Sequence, residues 1–212
     1  MLDILYEDDD LIFVNKPPLL VVQRGYDPDE PLLLDLVNEH LGRPVHLLQR
    51  LDRGTSGVIF FSKTSKHNVK LTRQFEKKRI RKRYAALCVG ELAQKQTVDA
   101  PIARVGAIKF AVRDDGKRAV THIEPVESAR DATFLTVVLE TGRTHQIRVH
   151  LAAIDHPLVG DWLYGERTEG RPMLHASELE LTHPGTNQRL CVHAPLPRDF
   201  IEEARRRGLA LE

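Results

Sequence analysis

Two short stretches concentrate the residues able to do chemistry. The first is RLDRGTSG, Arg50 to Gly57, in which Asp52 stands between Arg50 and Arg53. Gly54 and Gly57 permit a sharp backbone turn, and Thr55 and Ser56 can hydrogen-bond amides that such a turn exposes. A turn of this kind projects one carboxylate beyond a sheet edge. Taken alone, an Asp flanked by two arginines reads more readily as a surface ion pair. The second stretch is ETGRTHQIRVHLAAIDHPLVGD, Glu140 to Asp161. A strand ends there in a glycine turn and a helix begins, with Arg143, His145, Gln146 and Arg148 crowded at the start of the helix. His145 and Arg148 are three apart and share a face. Helix N-termini favour negative charge, so two arginines at this place require an anion or a carboxylate to answer them.

Other chemistries find little support. His145, His150 and His156 are five and six residues apart, not the i, i+4 spacing of two ligands on one helix face, so no metal site is expected. There is no Walker loop and no GxGxxG followed by a suitable acid, and GRTHQIR has too few glycines to cradle a pyrophosphate. Cys88 and Cys191 form no CxxC pair; both are expected to be plain buried thiols, neither bridged nor metal-bound.

The elements that must position these residues follow from periodicity and punctuation. Asp10 to Pro18 reads as a short buried strand ended by two prolines. Residues 31–41 read as a helix, with Pro31 in its first turn and Gly42 as its stop. Val58 to Ser62 is a compact apolar strand next to the chemistry-rich turn. Ser65 to Lys78 reads as a helix capped by Ser65, with Val69, Leu71 and Phe75 as its apolar contacts. Arg83–Val89 and Thr133–Leu139 read as strands. Residues 96–126 read as two or three strands joined by turns, with DDGK (114–117) the clearest turn. A helix is expected from about Thr144 to Ile154, late strands at Leu174–Leu181 and Arg189–His193, and a polar C-terminal helix. Strands in runs at hairpin-like spacing, with helices interspersed, indicate an α+β fold: a mostly antiparallel mixed sheet flanked by helices and loops.

The chain of 212 residues can bury one core, or one core divided into two lobes. No run of about 18 apolar residues is available to cross a membrane. The N-terminus, MLDILYEDDD, is acidic where a secretion signal would be basic, so a cytoplasmic protein is expected. The net charge is only +1, but its distribution is uneven: Lys63 to Arg83 carries ten Lys or Arg and one acid, Glu76. A local field of this kind attracts a phosphate backbone even when the total charge nearly cancels.

These motifs resemble those of the RluA-type RNA pseudouridine synthases. The family's catalytic HRLDxxTSG is matched by QRLDRGTSG at Gln49–Gly57, and its GRTHQIRVHL at Gly142–Leu151. A Tyr within K-x-Y-x-A is matched by Lys82, Tyr84 and Ala86, the early NKPxGLxVH by Asn15–Gln23, and the closing LHA…HP…APLP from Leu174 to Pro197. Gln49, Leu19, Gln23 and Asp155 depart from the pattern, at the positions of the motifs' His, Gly, His and Gly. The resemblance implies a pseudouridine synthase fold with a central cleft, a single catalytic domain over 1–212, and no small N-terminal RNA-binding extension. It implies Asp52, Tyr84 and Arg148 as the catalytic set. Asp52 would act as nucleophile, Arg148 would keep it ionised against burial, and Tyr84 would lie against the target base. Leu174, or its neighbour Met173, would form an apolar wall of the base pocket. Arg50, Arg53, Arg143, His145, Gln146 and Lys82 would contact RNA, with Arg50 filling the space of a flipped uridine. The reaction involves no redox change and consumes no water, so no cofactor or metal is expected. The expected partner is a ribosomal or transfer RNA stem-loop, the expected state a monomer. Two alternatives are a non-catalytic RNA-binding protein on the same scaffold and a small-molecule glycosidase, which would ordinarily need a second carboxylate or a metal.

Overall fold

The computed structural model describes residues 2–24, 30–165 and 170–211. Along the chain the elements begin with β1 (Ile4–Glu7), β2 (Leu11–Lys16), α1 (Leu33–Leu41), β3 (His46–Leu47) and β4 (Ser56–Ser62). A 3-10 turn at Ser65–His67, α2 (Asn68–Glu76) and β5 (Arg81–Val89) follow. Next come β6 (Gln96–Asp99), β7 (Ile102–Arg104), β8 (Phe110–Val112), β9 (Val120–Ala129) and β10 (Ala132–Leu139). The last elements are α3 (Gln146–Ala153), β11 (Leu174–Thr182), β12 (Arg189–His193) and α4 (Arg198–Arg206). The chain packs as two compact units, Met1–Lys82 with Ala176–Pro195, and Arg83–His175 with Leu196–Glu212.

In the first unit β2 lies between β1 and β4, antiparallel to both, and β3 pairs with β4. Leu11 to Val14 of β2 and all seven residues of β4 are buried, which is why these segments read as continuous apolar runs without alternation. Phe13 and Phe60 stack at 5.3 Å, and Phe75 of α2 extends the stack at 6.2 Å. The β11–β12 hairpin completes the unit. Gln74 of α2 donates to the Thr182 carbonyl and accepts from its amide, and Lys70 donates to the Pro184 carbonyl and Asn187 Oδ1.

In the second unit β5, β10, β9 and β6 form an antiparallel array, with β7–β8 as a separate pair. Pro125 lies within β9 but outside the segment paired to β6, so its missing amide proton breaks no ladder bond on that side. The β9–β10 register shifts at the same place, between Phe134 and Leu135. Phe200 and Ala204, one turn apart on α4, are fully buried against Ala85, Leu87, Ala132 and Met173. The α+β architecture with mainly antiparallel pairing is the one expected. No helix among the described residues is long and apolar enough to cross a membrane.

Several local expectations are corrected. α1 starts at Leu33, not Pro31, because Leu32 is still extended and bridges Val21. Thr64, not Ser65, caps the next helical segment, accepting from the Lys66 amide, and Val69 is exposed while Leu71 carries the packing. α3 begins at Gln146, because His145 adopts a left-handed backbone (φ 55°). Residues 96–126 make four strands instead of two or three, and β1 and β3 were not anticipated. Cys88 is buried as expected, but Cys191 is exposed; neither forms a disulfide.

Candidate active site

The carboxylate-bearing turn belongs to the first unit. It runs into β4 through a turn in which the Thr55 amide donates to the Asp52 carbonyl at 3.1 Å. Gly57 has φ 110°, and a Cβ there would stand 2.2 Å from the Ala176 carbonyl oxygen, so glycine is required by backbone contact as well as by conformation. Lys16, fully buried at the end of β2, fastens the turn. Its ammonium donates to the carbonyls of Pro17 (2.9 Å), Leu20 (2.8 Å) and Arg53 (3.2 Å). The Leu19 amide donates to the Arg53 carbonyl as well. One buried cation thus ties the NKPP loop to the RLDRGTSG turn. The Asp52 side chain is half-buried, while Arg50 and Arg53 are exposed, and Arg53 pairs with Glu30 at 2.9 Å. Gln49, where the motif carries His, has its Nε2 buried without a hydrogen-bond partner among the described residues. Lys82 lies 4.9 Å above the Phe75 ring, and burial lowers its pKa to about 8.

The second motif belongs to the other unit and is organised by α3. Arg148 is buried and donates from Nε and Nη2 to the two oxygens of Asp161, both at 2.7 Å. This fork is the planar bidentate geometry in which guanidinium–carboxylate pairs are strongest. Asp161 is itself almost fully buried and accepts further from the amides of Leu163 (3.1 Å) and Tyr164 (3.3 Å). The Arg148 guanidinium lies 5.0 Å above the Tyr164 ring. The Tyr164 hydroxyl accepts from the Phe110 amide at 3.0 Å and hydrogen-bonds His145 Nδ1 at 2.8 Å. The loop Pro157–Gly165 therefore holds the arginine from two sides.

Gln146, expected to contact RNA, is engaged within the protein. It is buried, its amide oxygen accepts from Thr141 Oγ1 and the Arg143 amide, and its nitrogen donates to the Val120 carbonyl and Thr121 Oγ1. All of these partners are within the protein, so Gln146 positions the turn. His150 continues the chain: with Thr121 Oγ1 at 2.8 Å and the Ala100 carbonyl at 2.9 Å, its Nε2 must carry the proton and Nδ1 must accept. Burial lowers its pKa, which favours the neutral ring this arrangement requires. Both nitrogens are occupied, so His150 has none to offer a metal. Arg143 is exposed, and its Nε donates to the Arg118 carbonyl at 3.0 Å. Tyr84 and Leu174 are buried in this unit. Arg171 fixes Leu174: it donates to the Leu174 carbonyl at 3.2 Å while forking onto Asp199 at 2.7 and 3.1 Å.

Sequence reasoning thus reached Arg148 but missed Asp161, Tyr164 and Lys16, which aim or fasten the motif residues. The GDWLYG run read only as a loop, and the signal for Asp161 was its presence beside a glycine in a segment already ending the second motif.

Comparison with known proteins agrees with these motifs. A family model for RNA pseudouridylate synthase matches residues 10–153. Ribosomal large subunit pseudouridine synthase D of Haemophilus influenzae is 40% identical over 224 residues, covering 95% of this chain and 69% of that protein. The protein of the same name in Escherichia coli K12 is 39% identical over 226 residues, with the same two coverages. Among solved structures, human RNA Pseudouridylate Synthase Domain Containing 4 aligns with a TM-score of 0.80 at 24% identity, covering 99% of this chain and 94% of that one. Human RNA Pseudouridylate Synthase Domain Containing 1 aligns with a TM-score of 0.78 at 23% identity, covering 100% and 97%. These two likenesses establish the fold. The chain belongs to the RNA pseudouridylate synthase family. It is an enzyme, an RNA pseudouridine synthase of the RluA type.

The Arg148–Asp161 fork gives a stability prediction. Asp161→Ala removes the bidentate partner of a buried guanidinium and should lower the unfolding free energy by about 3–5 kcal/mol. Urea denaturation followed by circular dichroism measures it; a loss under about 1 kcal/mol would show that the pair does not hold the loop.

Proposed function

We propose that this chain isomerises specific uridines of ribosomal RNA to pseudouridine, with Asp52 as the nucleophile. The observation that carries the reading is the pair of motifs, QRLDRGTSG and GRTHQIRVHL, within a chain 40% identical to a ribosomal large subunit synthase over 95% of its length. The reaction breaks the uridine N-glycosidic bond, turns the base, and rejoins it through carbon-5. Atoms and electrons balance within the nucleotide, so the chemistry needs no cofactor. The Asp52 carboxylate attacks the sugar or assists departure of the base, and must stay ionised in a water-poor environment; Arg148 supplies the positive charge that favours ionisation. Tyr84 offers a ring face to the base and a hydroxyl for a proton-transfer step. Leu174 supplies apolar surface beside the base.

The target uridine must leave its stack, and Arg50 fills the vacated space. The basic run from Lys63 to Arg83, with Arg53 and Arg143, holds phosphates. His145, two residues from Arg143, is engaged by Tyr164. Trp162, the single tryptophan of the chain, is 51% exposed in the loop that grips Arg148, and its indole gives a neighbouring nucleotide a stacking surface. Stem-loops, whose bases can be splayed out, are the RNA form suited to this reading. The enzyme acts as a monomer in the cytoplasm, where its ribosomal substrate is assembled.

Asp52→Asn should abolish tritium release from carbon-5-labelled uridine RNA while RNA still quenches Trp162 fluorescence. Substantial turnover by this variant would remove Asp52 from the nucleophile role. A second expectation concerns Lys82. Its pKa, lowered to about 8 by burial, means that the free protein carries this cation at pH 7 and has lost most of it at pH 9. At pH 7, Lys82→Met should reduce the slope of log affinity for RNA against log salt by about one. At pH 9 the difference in slope between the variant and the wild type should be smaller. Equal slopes at both pH values would mean that Lys82 touches no phosphate.

A further inference from the structure

The β11–β12 hairpin carries a group of side chains that uridine isomerisation does not use. Alternate residues of a strand share a face, so Cys191 and His193 of β12 project together. The antiparallel register sets Glu178 opposite His193 and Glu180 opposite Cys191, on the same face. The other face of the ladder is apolar and buried, with Leu179, Leu181 and Val192 holding the backbone in place. Cys191 Sγ lies 3.5 Å from His193 Nε2, and Nδ1 of the same ring lies 3.7 Å from Glu178 Oε2. One ligand-capable atom from each of the three residues falls within 4.8 Å of the others.

These separations have a chemical meaning. Zinc bonds thiolate sulfur at about 2.3 Å and imidazole nitrogen at about 2.0–2.1 Å, so two such ligands at tetrahedral corners stand roughly 3.5 Å apart. The thiol–imidazole distance already matches one edge of that tetrahedron. The Glu178 carboxylate faces the other ring nitrogen, Nδ1, and joins an ion held at Sγ and Nε2 by rotating about its side-chain torsions. Cys191 and His193 are exposed, which leaves a route for the ion and a place for water. Arg189, on the same face, is paired with Glu180, so its charge is compensated locally.

We infer that Cys191, His193 and Glu178 form a zinc(II) site, with water in the fourth position. The mixed sulfur, nitrogen and oxygen donor set selects this borderline cation over magnesium or calcium, which take oxygen ligands. As the ion binds, the thiol gives its proton to solvent and a sulfur–zinc bond forms; nothing is oxidised or reduced. The ligands come from both strands, so the bound ion ties β12 to β11 and stabilises the hairpin. The inference rests on this geometry and not on the reaction the chain catalyses. The pattern is invisible to a search for CxxC or for histidines at i, i+4, because cross-strand pairing and not sequence spacing assembles it.

The test uses the full chain, reduced and freed of metal. Zinc(II) titrated against a chromophoric chelator should bind at one ion per chain, and cobalt(II) should give a thiolate-to-metal charge-transfer band. Cys191→Ser should abolish that band and weaken zinc binding at least about tenfold, and His193→Asn and Glu178→Gln should weaken it as well. The metal-free variants should unfold as the metal-free wild type does. Because Cys88 is buried, alkylation of the folded wild type reports on Cys191, and zinc should slow it; this readout needs no variant. A cobalt spectrum without the band, alkylation unaffected by zinc, or equal zinc affinity in the wild type and Cys191→Ser would each overturn the site.

Discussion

The buried fork between Arg148 and Asp161 is the interaction on which the second unit's chemistry depends. Two opposite charges removed from water incur a large desolvation cost, which their attraction offsets only when the geometry is good and the remaining hydrogen-bonding capacity is filled. Here the geometry is good and the carboxylate accepts further bonds. Two 2.7 Å bonds join guanidinium to carboxylate, and two backbone amides of the same loop complete the carboxylate. Asp161 therefore folds the Gly160–Gly165 segment around itself, and that segment in turn places the Tyr164 ring against the guanidinium. The arginine is left with one well-defined direction, which suits a group whose proposed work is to supply charge at a fixed place.

The first unit uses a related device. Lys16 is as deeply buried as Arg148, but its partners are three backbone carbonyls rather than a carboxylate. Each carbonyl belongs to a loop beside the Asp52 turn or to the turn itself. A cation held by carbonyls fixes backbone, whereas a cation held by a carboxylate fixes a side chain; the two motifs receive the constraint that each needs. Away from both, the hydrogen-bond chain from Gln146 through Thr121 and His150 to the Ala100 carbonyl secures α3 to its neighbours without any charge.

Much of this was legible in the residues. Apolar runs such as Val58–Phe61 gave β4, and the TGR turn marked the approach to α3, because both depend on local pattern. The catalytic motifs were legible as motifs. What pattern could not convey was which polar residues face inward. Gln146 and His150 look like surface chemistry on a helix start, yet α3 is buried from Gln146 to Leu151, and its polar side chains are spent on internal carbonyls and hydroxyls. Asp161 and Lys16 were passed over for the same reason: their partners are far away in sequence or are backbone atoms. Cys191 was misread as buried because β12 alternates, and the thiol falls on its exposed face.

If Arg148 serves the reaction as proposed, Asp161 serves it only by aiming Arg148, and a double-mutant cycle tests this most directly. Single-turnover tritium release would be measured for the wild type, Asp161→Asn, Arg148→Ala and the double variant under conditions in which each is folded. If Asp161 only aims Arg148, the double variant should be no slower than Arg148→Ala within about twofold, although Asp161→Asn alone is slow. Losses that multiply in the double variant would contradict the account and give Asp161 a role of its own.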